Sequence, residues 1–338
     1  MSQTVRIRAF QPGDAEGVLA NWNRVFPTAD GRIRHRGMDH WRWKFLANPL
    51  GRQDIEVAEH SEAGIVGSYP TIALPVWMDG AVRTCGHVVD LVVDPAHRRA
   101  GDRPGLFVQL GLSHYARYGG TEQGRHEFHY GWPVPAWRMG QKYLHYENVR
   151  DWDFLFRESG PDGIPVRSTP TGLAVREVAR FGTEVDALFE RMKTQLPMAL
   201  VRDSAYLNWR YADAVDSSYR LYECRSLADG SLRGICVYTV CDFLFPHTAF
   251  LVDWLLPEAD GDATVAMVGA VEQQANRDGA RALATLFPQL DPRFLRFQRM
   301  GFLVYGTSYF VVMARHSTRE TTWYRENWYH TAGDSDLV

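Results

Sequence analysis

The sequence predicts an α/β protein, of the α+β kind, that is built from two domains. Its 338 residues exceed what a single hydrophobic core usually holds. Apolar strand-like runs alternate with amphipathic helix-like segments along the whole chain. Landmarks of the first half recur in the same order in the second half, which is the pattern of an internal repeat.

The first half has the elements of a sheet with helices packed against it. Residues 5–10 alternate apolar and charged side chains, as a half-buried strand does, and 11–14 form a turn that caps a helix ending at Phe26. A short helix over 40–45 stops before Pro49. Further strands are expected at 55–59, 65–74, 76–78, 81–93 and 127–133, with a helix over 106–117.

The second half repeats three landmarks of the first. The matching pairs are 40–45 with 206–211, 88–95 with 250–257, and 128–133 with 282–288. In the second pair Asp253 stands in the place of Asp90. Between the copies, a segment with Gly, Pro and Ser is the best candidate for a linker. We therefore predict a first domain over 1–157, a linker over 158–170, a second domain over 171–316 and a tail over 317–338.

The composition excludes several classes of protein. With 45% hydrophobic and 23% charged residues and a formal net charge of -3, the chain has no general electrostatic basis for binding nucleic acid or a membrane surface. No apolar run approaches the length of a membrane span and the first ten residues do not resemble a signal peptide, so we expect a cytoplasmic protein. The four cysteines lack metal-binding spacing, and no metal site is expected. The oligomeric state is left open, and a homodimer is compatible with the sequence.

Residues 88–101 carry the pattern with the clearest chemistry. An apolar strand that contains Asp90 breaks at Pro95 and continues into a turn with Arg98, Arg99 and Gly101, ahead of the predicted helix over 106–117. The first turn of a helix presents unpaired N–H groups and the positive end of its dipole. A basic, glycine-containing turn at that place suits a phosphate group. The alternative is a solvated basic loop.

The order Val93-x-Pro95-x-x-Arg98-x-x-Gly101 resembles the acetyl-CoA-binding motif of the GNAT superfamily of acyl-CoA N-acyltransferases. The resemblance implies two tandem GNAT-like domains, each a mixed, mostly antiparallel sheet flanked by helices, with acetyl-CoA as the cofactor. It also implies that the strand pairs with the pantetheine arm and that the turn holds the pyrophosphate. Arg103 stands where the family usually has Gly or Ala, so the turn is remodelled or longer. The expected cofactor-binding residues are Leu91, Val92, Val93, Arg98, Arg99, Ala100, Gly101, Arg103 and Gly105.

Asp90 is the sharpest candidate for the general base, because an acid on this strand lies near the incoming amine in many members of the family. Asp253 occupies the same place in the other half, so the shared acid has an equally weighted structural interpretation, as a partner of a backbone group or an arginine. His87, Glu127 and His129 are the alternates. By the resemblance, a tyrosine after the second of the two central strands supplies the acid, and Tyr143 is the candidate, with Tyr130 or Tyr146 as replacements.

The second half lacks the basic turn, because acidic residues fill 258–262. Carboxylates at a helix N-terminus repel a pyrophosphate, so we expect the cofactor in the first domain only. The tail carries two Trp and two Tyr over 322–336 and is expected to dock. One hypothesis places it across the domain interface with Asp334 and Asp336 near a cationic acceptor; the alternative, slightly preferred, is a surface-packed extension.

These features together predict an acetyl-CoA-dependent N-acetyltransferase that acts on a primary amine of a small polar acceptor, such as an amino sugar or a natural-product amine. The tail resembles those of long GNAT-like proteins associated with polysaccharide and amino-sugar modification. One rival is an aminoacyl-tRNA-dependent, Fem-like transferase, against which the net charge counts. The other is a non-catalytic GNAT-like protein that only binds a ligand.

Overall fold

The computed structural model describes residues 5–27, 34–99, 104–132 and 136–337. The described chain forms two compact units. The first contains the residues up to Val76, Val82–Arg150 and Phe310–Thr321, and the second contains Trp77–Ala81, Asp151–Tyr309 and the residues from Thr322 on. Among the described helices, none combines the length and the apolar character needed to cross a membrane.

The first unit is a mixed sheet with helices packed against it. Its strands are β1 (Val5–Ala9), β2 (Asp54–His60), β3 (Gly64–Met78), β4 (Ala81–Val88), β5 (Val92–Val93) and β6 (His126–Gly131), and its helices are α1 (Ala15–Val25), α2 (Met38–Trp41), α3 (Leu106–Tyr118) and α4 (Trp137–Tyr143). Strands β1, β2 and β3 pair in antiparallel fashion, and β5 pairs with β3 in the same way. Strands β4 and β6 form a parallel pair.

The second unit repeats this plan. After β7 (Glu147–Glu158) its elements are β8 (Leu173–Val178), α5 (Glu184–Lys193), β9 (Met198–Leu200), α6 (Ser204–Leu207), β10 (Arg220–Ser226), β11 (Leu232–Cys241), β12 (Thr248–Leu255), α7 (Gly261–Arg277), β13 (Ala282–Thr285), α8 (Pro292–Arg299), β14 (Leu303–Arg315), α9 (Thr321–Asn327) and β15 (Trp328–Tyr329). Strands β8, β10, β11 and β12 pair in antiparallel fashion, whereas β12 and β13 are parallel. The predicted fold class is confirmed.

Two strands carry the chain between the units. Strand β7 begins in the first unit and, from Asp151 on, belongs to the second, where it pairs with β13. Strand β14 makes the reverse passage, and its residues Val312–Arg315 pair with β6. The sequence predicts the first boundary at residue 157 and places 310–316 in the second domain. In the structure the chain instead crosses inside β7 and inside β14, so each unit ends its sheet on a strand that is distant in sequence.

The repeat extends to local geometry. Helix α2 continues directly into one π-helical turn, Arg42–Leu46, and α6 continues in the same way into Asn208–Ala212. These are the two aromatic and basic segments that the sequence pairs with each other. Within the predicted linker over 158–170, Ile164 lies against α7, where the side chain of Asn276 exchanges two hydrogen bonds with its backbone (2.7 and 2.8 Å).

Candidate active site

The strand that the sequence singles out is interrupted at Asp90. Strand β4 ends at Val88, Asp90 has a φ of +52°, and the chain resumes as β5. A positive φ is rare outside glycine and changes the direction of a strand. The parallel register of β4 with β6 runs from Thr84–His126 to His87–Tyr130, just before this break.

Strand β5 has one edge on β3 and one edge turned away from it. Val92 pairs with Ser68, and the N–H of Asp94 donates to the carbonyl oxygen of Val66 (2.9 Å). Successive N–H groups alternate between the two sides of a strand, so those of Leu91 and Val93 point to the side on which β6 flanks β4. This edge is where a pantetheine arm would add as a strand. The N–H of Val92 faces β3.

The turn from β5 to α3 is held by local hydrogen bonds. The Asp94 carboxylate accepts from the N–H of Ala96 (2.9 Å), and the N–H of Leu106 at the start of α3 donates to the carbonyl oxygen of Arg98 (3.2 Å). Gly105 is required here, because a Cβ at this position would lie 2.8 Å from the Arg98 oxygen. The side chains of Arg98 and Arg99 are exposed. The predicted cofactor residues Ala100, Gly101 and Arg103 lie outside the described residues.

Hydrophobic packing fixes α3 against β5. One cluster joins the buried side chains of Val93, Leu106 and Leu110 to those of Val66 and Tyr69, and Leu91 packs at its margin. The first turn of α3 contains no acidic residue. The positive end of the helix dipole therefore faces the basic turn without a carboxylate of its own helix to compensate it.

Asp90 is surrounded by cations. Its carboxylate forms ion pairs with Arg36 and with Lys44, the latter at 2.9 Å. Burial opposes ionisation, but the charges of Lys44 and Arg36 outweigh it and hold the pKa of Asp90 well below its usual range. The carboxylate is thus ionised at any working pH and is engaged by two partners.

The second unit contains the same arrangement. Asp253 on β12 accepts a hydrogen bond from Arg202 at 2.9 Å and one from the Tyr211 hydroxyl at 2.8 Å. Arg36 immediately precedes the residue that caps α2, and Arg202 immediately precedes the residue that caps α6. An arginine before the helix and an aspartate at the end of the strand therefore form one recurring ion pair.

The remaining predicted catalytic residues are spread over the first unit. Glu127 pairs with Arg83 on β4 (3.1 Å). His129 has both ring nitrogens against other histidines, Nδ1 at 2.8 Å from His316 and Nε2 at 2.8 Å from His126. Tyr143 is half-buried at the end of α4, beside the ammonium of Lys142. The structure does not bring these three side chains together with Asp90 in one hydrogen-bonded group.

Two aromatic groups combine residues that the sequence singles out, His87, Tyr130 and Tyr146, with Tyr69, Tyr115 and Trp132, which it does not. The hydroxyls of Tyr115 and Tyr146 lie 2.9 and 2.7 Å from that of Tyr69, and burial raises the pKa of all three phenols, so they are neutral donors. At the end of the β4–β6 pair, the ring of His87 stacks on that of Tyr130 (4.6 Å between centroids, 4° between planes) with the edge of Trp132 at 5.5 Å. These residues come together only through tertiary contacts in the folded sheet.

The corresponding strand edge of the second unit is occupied by its own chain. The Tyr329 hydroxyl donates to the carbonyl oxygen of Trp254, and the Arg293 guanidinium donates to that of Leu256 (3.2 Å). At the start of α7 the carboxylate of Asp260 caps the helix by accepting from the N–H of Ala263 (3.1 Å). A carboxylate thus holds the place where α3 of the first unit has a basic turn.

The C-terminal tail is part of the core of the second unit. Asp334 is 1% exposed, and both of its carboxylate oxygens lie 3.0 Å from the guanidinium of Arg202. The main-chain oxygen of Ser335 accepts from Arg210 (2.9 Å). The hypothesis that put Asp334 near a cationic acceptor is therefore wrong, because a buried arginine of the same unit already neutralises it. The alternative of a surface-packed extension is wrong for the same reason.

Residues 6–117 match the family model of the acetyltransferase (GNAT) domain. No curated protein matches the sequence. A solved structure from Enterococcus faecalis V583, a conserved protein of unknown function and probable N-acyltransferase, shares 14% identity with a TM-score of 0.66 and covers 92% of this chain and 72% of its own.

Two further structures have a similar fold. A tandem GNAT protein from the clavulanic acid biosynthesis pathway shares 14% identity at a TM-score of 0.59, over 94% of this chain and 100% of its own. A GCN5-related glucosamine N-acetyltransferase region of a fungal multi-domain β-N-acetylglucosaminidase shares 14% identity at a TM-score of 0.56, over 92% of this chain and 38% of that one. At such identities the likeness establishes the fold. The first unit therefore matches the GNAT acetyltransferase domain over 6–117, and the chain as a whole has the fold of these acyltransferase structures, including a tandem GNAT protein.

Proposed function

We propose that the protein transfers an acetyl group from acetyl-CoA to a primary amine of a small polar acceptor, and that the first unit alone binds the cofactor. One observation supports this most strongly. Strand β5 turns the N–H groups of Leu91 and Val93 away from β3, shortly before the exposed Arg98 and Arg99 and the start of α3, whose first turn contains no acidic residue. The second unit fills the same place with Tyr329, Arg293 and Asp260.

The donor is held at two places. The pantetheine arm adds to the outer edge of β5 through main-chain hydrogen bonds with Leu91 and Val93, in the way that an extended peptide adds to a sheet edge. The pyrophosphate lies at the turn, where Arg98 and Arg99 and the dipole of α3 favour negative charge. One main-chain N–H of this edge also supports the oxygen of the thioester as it becomes negative.

In the transfer the amine nitrogen forms a bond to the thioester carbon, the C–S bond breaks, and coenzyme A leaves as a thiolate. The amine must lose one proton on the way. His87 is the proposed acceptor, because it is the last residue of β4 that is paired with β6 and stands just before the positive-φ Asp90 in the chain. Imidazole is the side chain best suited to exchange protons near neutral pH.

Asp90 has a positioning role in this mechanism. Its ion pairs with Arg36 and Lys44 hold the residue with positive φ at which the strand changes direction. Asp253 has an equivalent partner in the second unit, where the chain itself bonds to the strand edge. The aspartate is therefore a feature of the fold of both units and does not depend on cofactor binding.

The acceptor is proposed to be an amino sugar or a similar ring-bearing amine. The half-buried Trp132 follows the end of β6, next to His87, and aromatic rings of this kind pack against sugar faces while their polar tips hydrogen-bond. One of the structures with a similar fold is a glucosamine N-acetyltransferase region, which supports the same class. A natural-product amine is the second member of this class.

The test is release of coenzyme A from acetyl-CoA against a panel of amino sugars, sugar nucleotides and simple amines. We expect at least one amino sugar to be acetylated, and His87→Gln to lower kcat about 10²- to 10⁴-fold with little change in thermal stability. His247→Gln, an exposed histidine of the second unit, is the matched control. A protein that binds acetyl-CoA but acetylates no amine, or a His87 variant with normal turnover, would overturn the proposed reaction or the proposed base respectively.

A further inference from the structure

Four histidines and one aspartate converge in the interior of the first unit. His114 lies on α3, His126 and His129 lie on β6, and all three rings are 1% exposed or less. Their nearest ring nitrogens lie within 4.8 Å of one another. His114, His126 and His129 come from two elements of the fold, and their spacing in the sequence matches no metal motif.

Three nitrogens point at one place. His129 Nε2 lies 2.8 Å from His126 Nδ1 and 3.1 Å from His114 Nε2. The hydroxyl of Thr71 lies 3.0 Å from the same nitrogen of His114. Each nitrogen of a neutral imidazole carries either a proton or a lone pair. The three converging nitrogens of His114, His126 and His129 therefore cannot all pair with one another through hydrogen bonds.

The opposite ring nitrogens of His126 and His129 also have polar partners, and the partner of His126 fixes its lone pair inward. His126 Nε2 lies 2.8 Å from the carboxylate of Asp54, which can only accept, so the proton of this ring is on Nε2 and the lone pair is on Nδ1. His129 Nδ1 lies 2.8 Å from His316 Nε2, which leaves Nε2 of His129 to face inward. A carboxylate behind a histidine is the arrangement that orients metal-bound imidazoles.

The surroundings keep these rings neutral, and a glycine lies beside them. Burial lowers the pKa of His114 and His129 well below the usual value, and the neighbouring imidazoles add to the effect. Gly86 faces the cluster, and a Cβ there would lie 2.6 Å from His126 Nδ1. A side chain at this position would collide with the rings of His126 and His129, so only glycine lets them approach here.

We propose that His114, His126 and His129 bind a divalent zinc ion through Nε2, Nδ1 and Nε2 respectively, with Asp54 and His316 behind the ligands and the Thr71 hydroxyl or a water as the fourth ligand. Ligands about 2.1 Å from a tetrahedral ion are about 3.4 Å apart, so the rings need to separate only slightly from their present distances. Imidazole ligands suit zinc among the common divalent ions. The ion would link α3 to β6, the two elements that flank the proposed cofactor edge. Because the site is buried, the role of the ion is structural.

Metal content is the first measurement. Tag-free protein, expressed with zinc in the medium and desalted, is expected to hold about one zinc ion per chain by plasma mass spectrometry. Protein stripped with a chelator is expected to regain several degrees of Tm when zinc alone is added. Cobalt(II) added to the stripped protein should give the visible absorption of a tetrahedral site.

The variants are His126→Gln and His129→Gln, with His247→Gln as the matched control. The two cluster variants should lose the bound zinc and the zinc-dependent rise in Tm, and the control should keep both. Asp54→Asn should keep the stoichiometry at high zinc but weaken the affinity about 10- to 100-fold. None of these readouts depends on acetyl transfer, so they are separate from the proposed function.

Two results would overturn the proposal. One is wild-type protein without bound metal, whose Tm and cobalt spectrum do not respond to metal; the cluster is then a hydrogen-bonded imidazole network. The other is zinc bound equally by wild type and by both cluster variants, which would place the ion elsewhere. If the two cluster variants fail to fold, the metal content and cobalt spectrum of the wild type still test the first outcome, and an unchanged zinc affinity in Asp54→Asn places the ion elsewhere.

Discussion

At the scale of single residues, the two aspartates at the end of the central strands behave alike. Asp90 pairs with Arg36 and Lys44, and Asp253 pairs with Arg202 and Tyr211. A carboxylate with a strongly lowered pKa is a poor proton acceptor near neutral pH. The geometry therefore favours a positioning role for Asp90 and leaves proton transfer to another group.

Replacement of Asp90 by Asn tests this role. The change removes the carboxylate that pairs with the buried Lys44 and the half-buried Arg36, so we expect the free energy of unfolding to fall by about 3–5 kcal/mol. At a temperature where the variant is folded, its kcat should fall less than about tenfold and its pH–rate profile should keep the limbs of the wild type. Urea unfolding and steady-state kinetics measure both effects.

The matched control is Asp253→Asn, which breaks the equivalent ion pair in the second unit. There the strand edge is bonded by Tyr329 of the same unit. This variant should cost similar stability with no change in the affinity for acetyl-CoA. A folded Asp90→Asn protein with a 10²- to 10⁴-fold loss of kcat and a lost acid limb would assign the general base to Asp90 instead.

At the scale of elements, the turn before α3 distinguishes the two units. Replacing Arg98 and Arg99 together by Ala removes the two charge-assisted contacts to phosphate that we propose. Each such contact contributes about 1.5–3 kcal/mol before solvent screening, and both side chains are exposed, so we expect acetyl-CoA binding to weaken about 10- to 100-fold. The salt dependence of the Kd should become shallower, and kcat at saturating cofactor should change little.

Arg299→Ala, which removes an exposed arginine at the end of α8, is the control for loss of positive charge. It should leave the Kd for acetyl-CoA unchanged. Equal effects of the two substitutions would mean that the turn acts only through the net charge of the protein.

The tail of the second unit gives a prediction about pH. Burial raises the pKa of Asp334 to about 6, from an ordinary value near 3.8. The folded protein therefore binds this proton more tightly than the unfolded chain does, so Asp334 lowers stability progressively as the pH rises from about 4 to about 6, and by no more above that. The change amounts to about 3 kcal/mol at most.

Asp334→Asn should remove this pH dependence of the free energy of unfolding. The free energy of unfolding of the wild type, minus that of the variant, should fall as the pH rises through this window and then level off. Chemical denaturation at several pH values measures it, with the exposed Asp162→Asn as the control. A difference that is independent of pH would show that Asp334 keeps an ordinary pKa in the folded protein.

At the scale of the whole molecule, one fold is used twice with different outcomes. Both units have antiparallel strands followed by one parallel pair and a last strand from elsewhere in the chain. In the first unit the strand edge after Asp90 leads into a basic turn, whereas in the second unit Tyr329 and Arg293 bond to the equivalent edge. We infer that the second unit has the same architecture as the first but does not bind the cofactor.

Local patterns in the sequence predicted most of the strands and helices, the repeat and the motif at 88–101. The exchange of β7 and β14 between the units could not be predicted, because the composition of a strand does not say which neighbour it pairs with. The histidine cluster was missed for a similar reason, since His114, His129 and His316 meet only through tertiary contacts. The role of Asp90 needed its partners, and Arg36 is far from it in the chain.

The most direct test of the central claim, that the edge of β5 and the start of α3 bind acyl-CoA and the second unit does not, is a calorimetric titration of the full chain with acetyl-CoA. We expect one molecule bound per chain, with a Kd that weakens about 10- to 100-fold when Arg98 and Arg99 are both replaced by Ala. Two molecules per chain, no binding, or binding that is insensitive to the double substitution would contradict it.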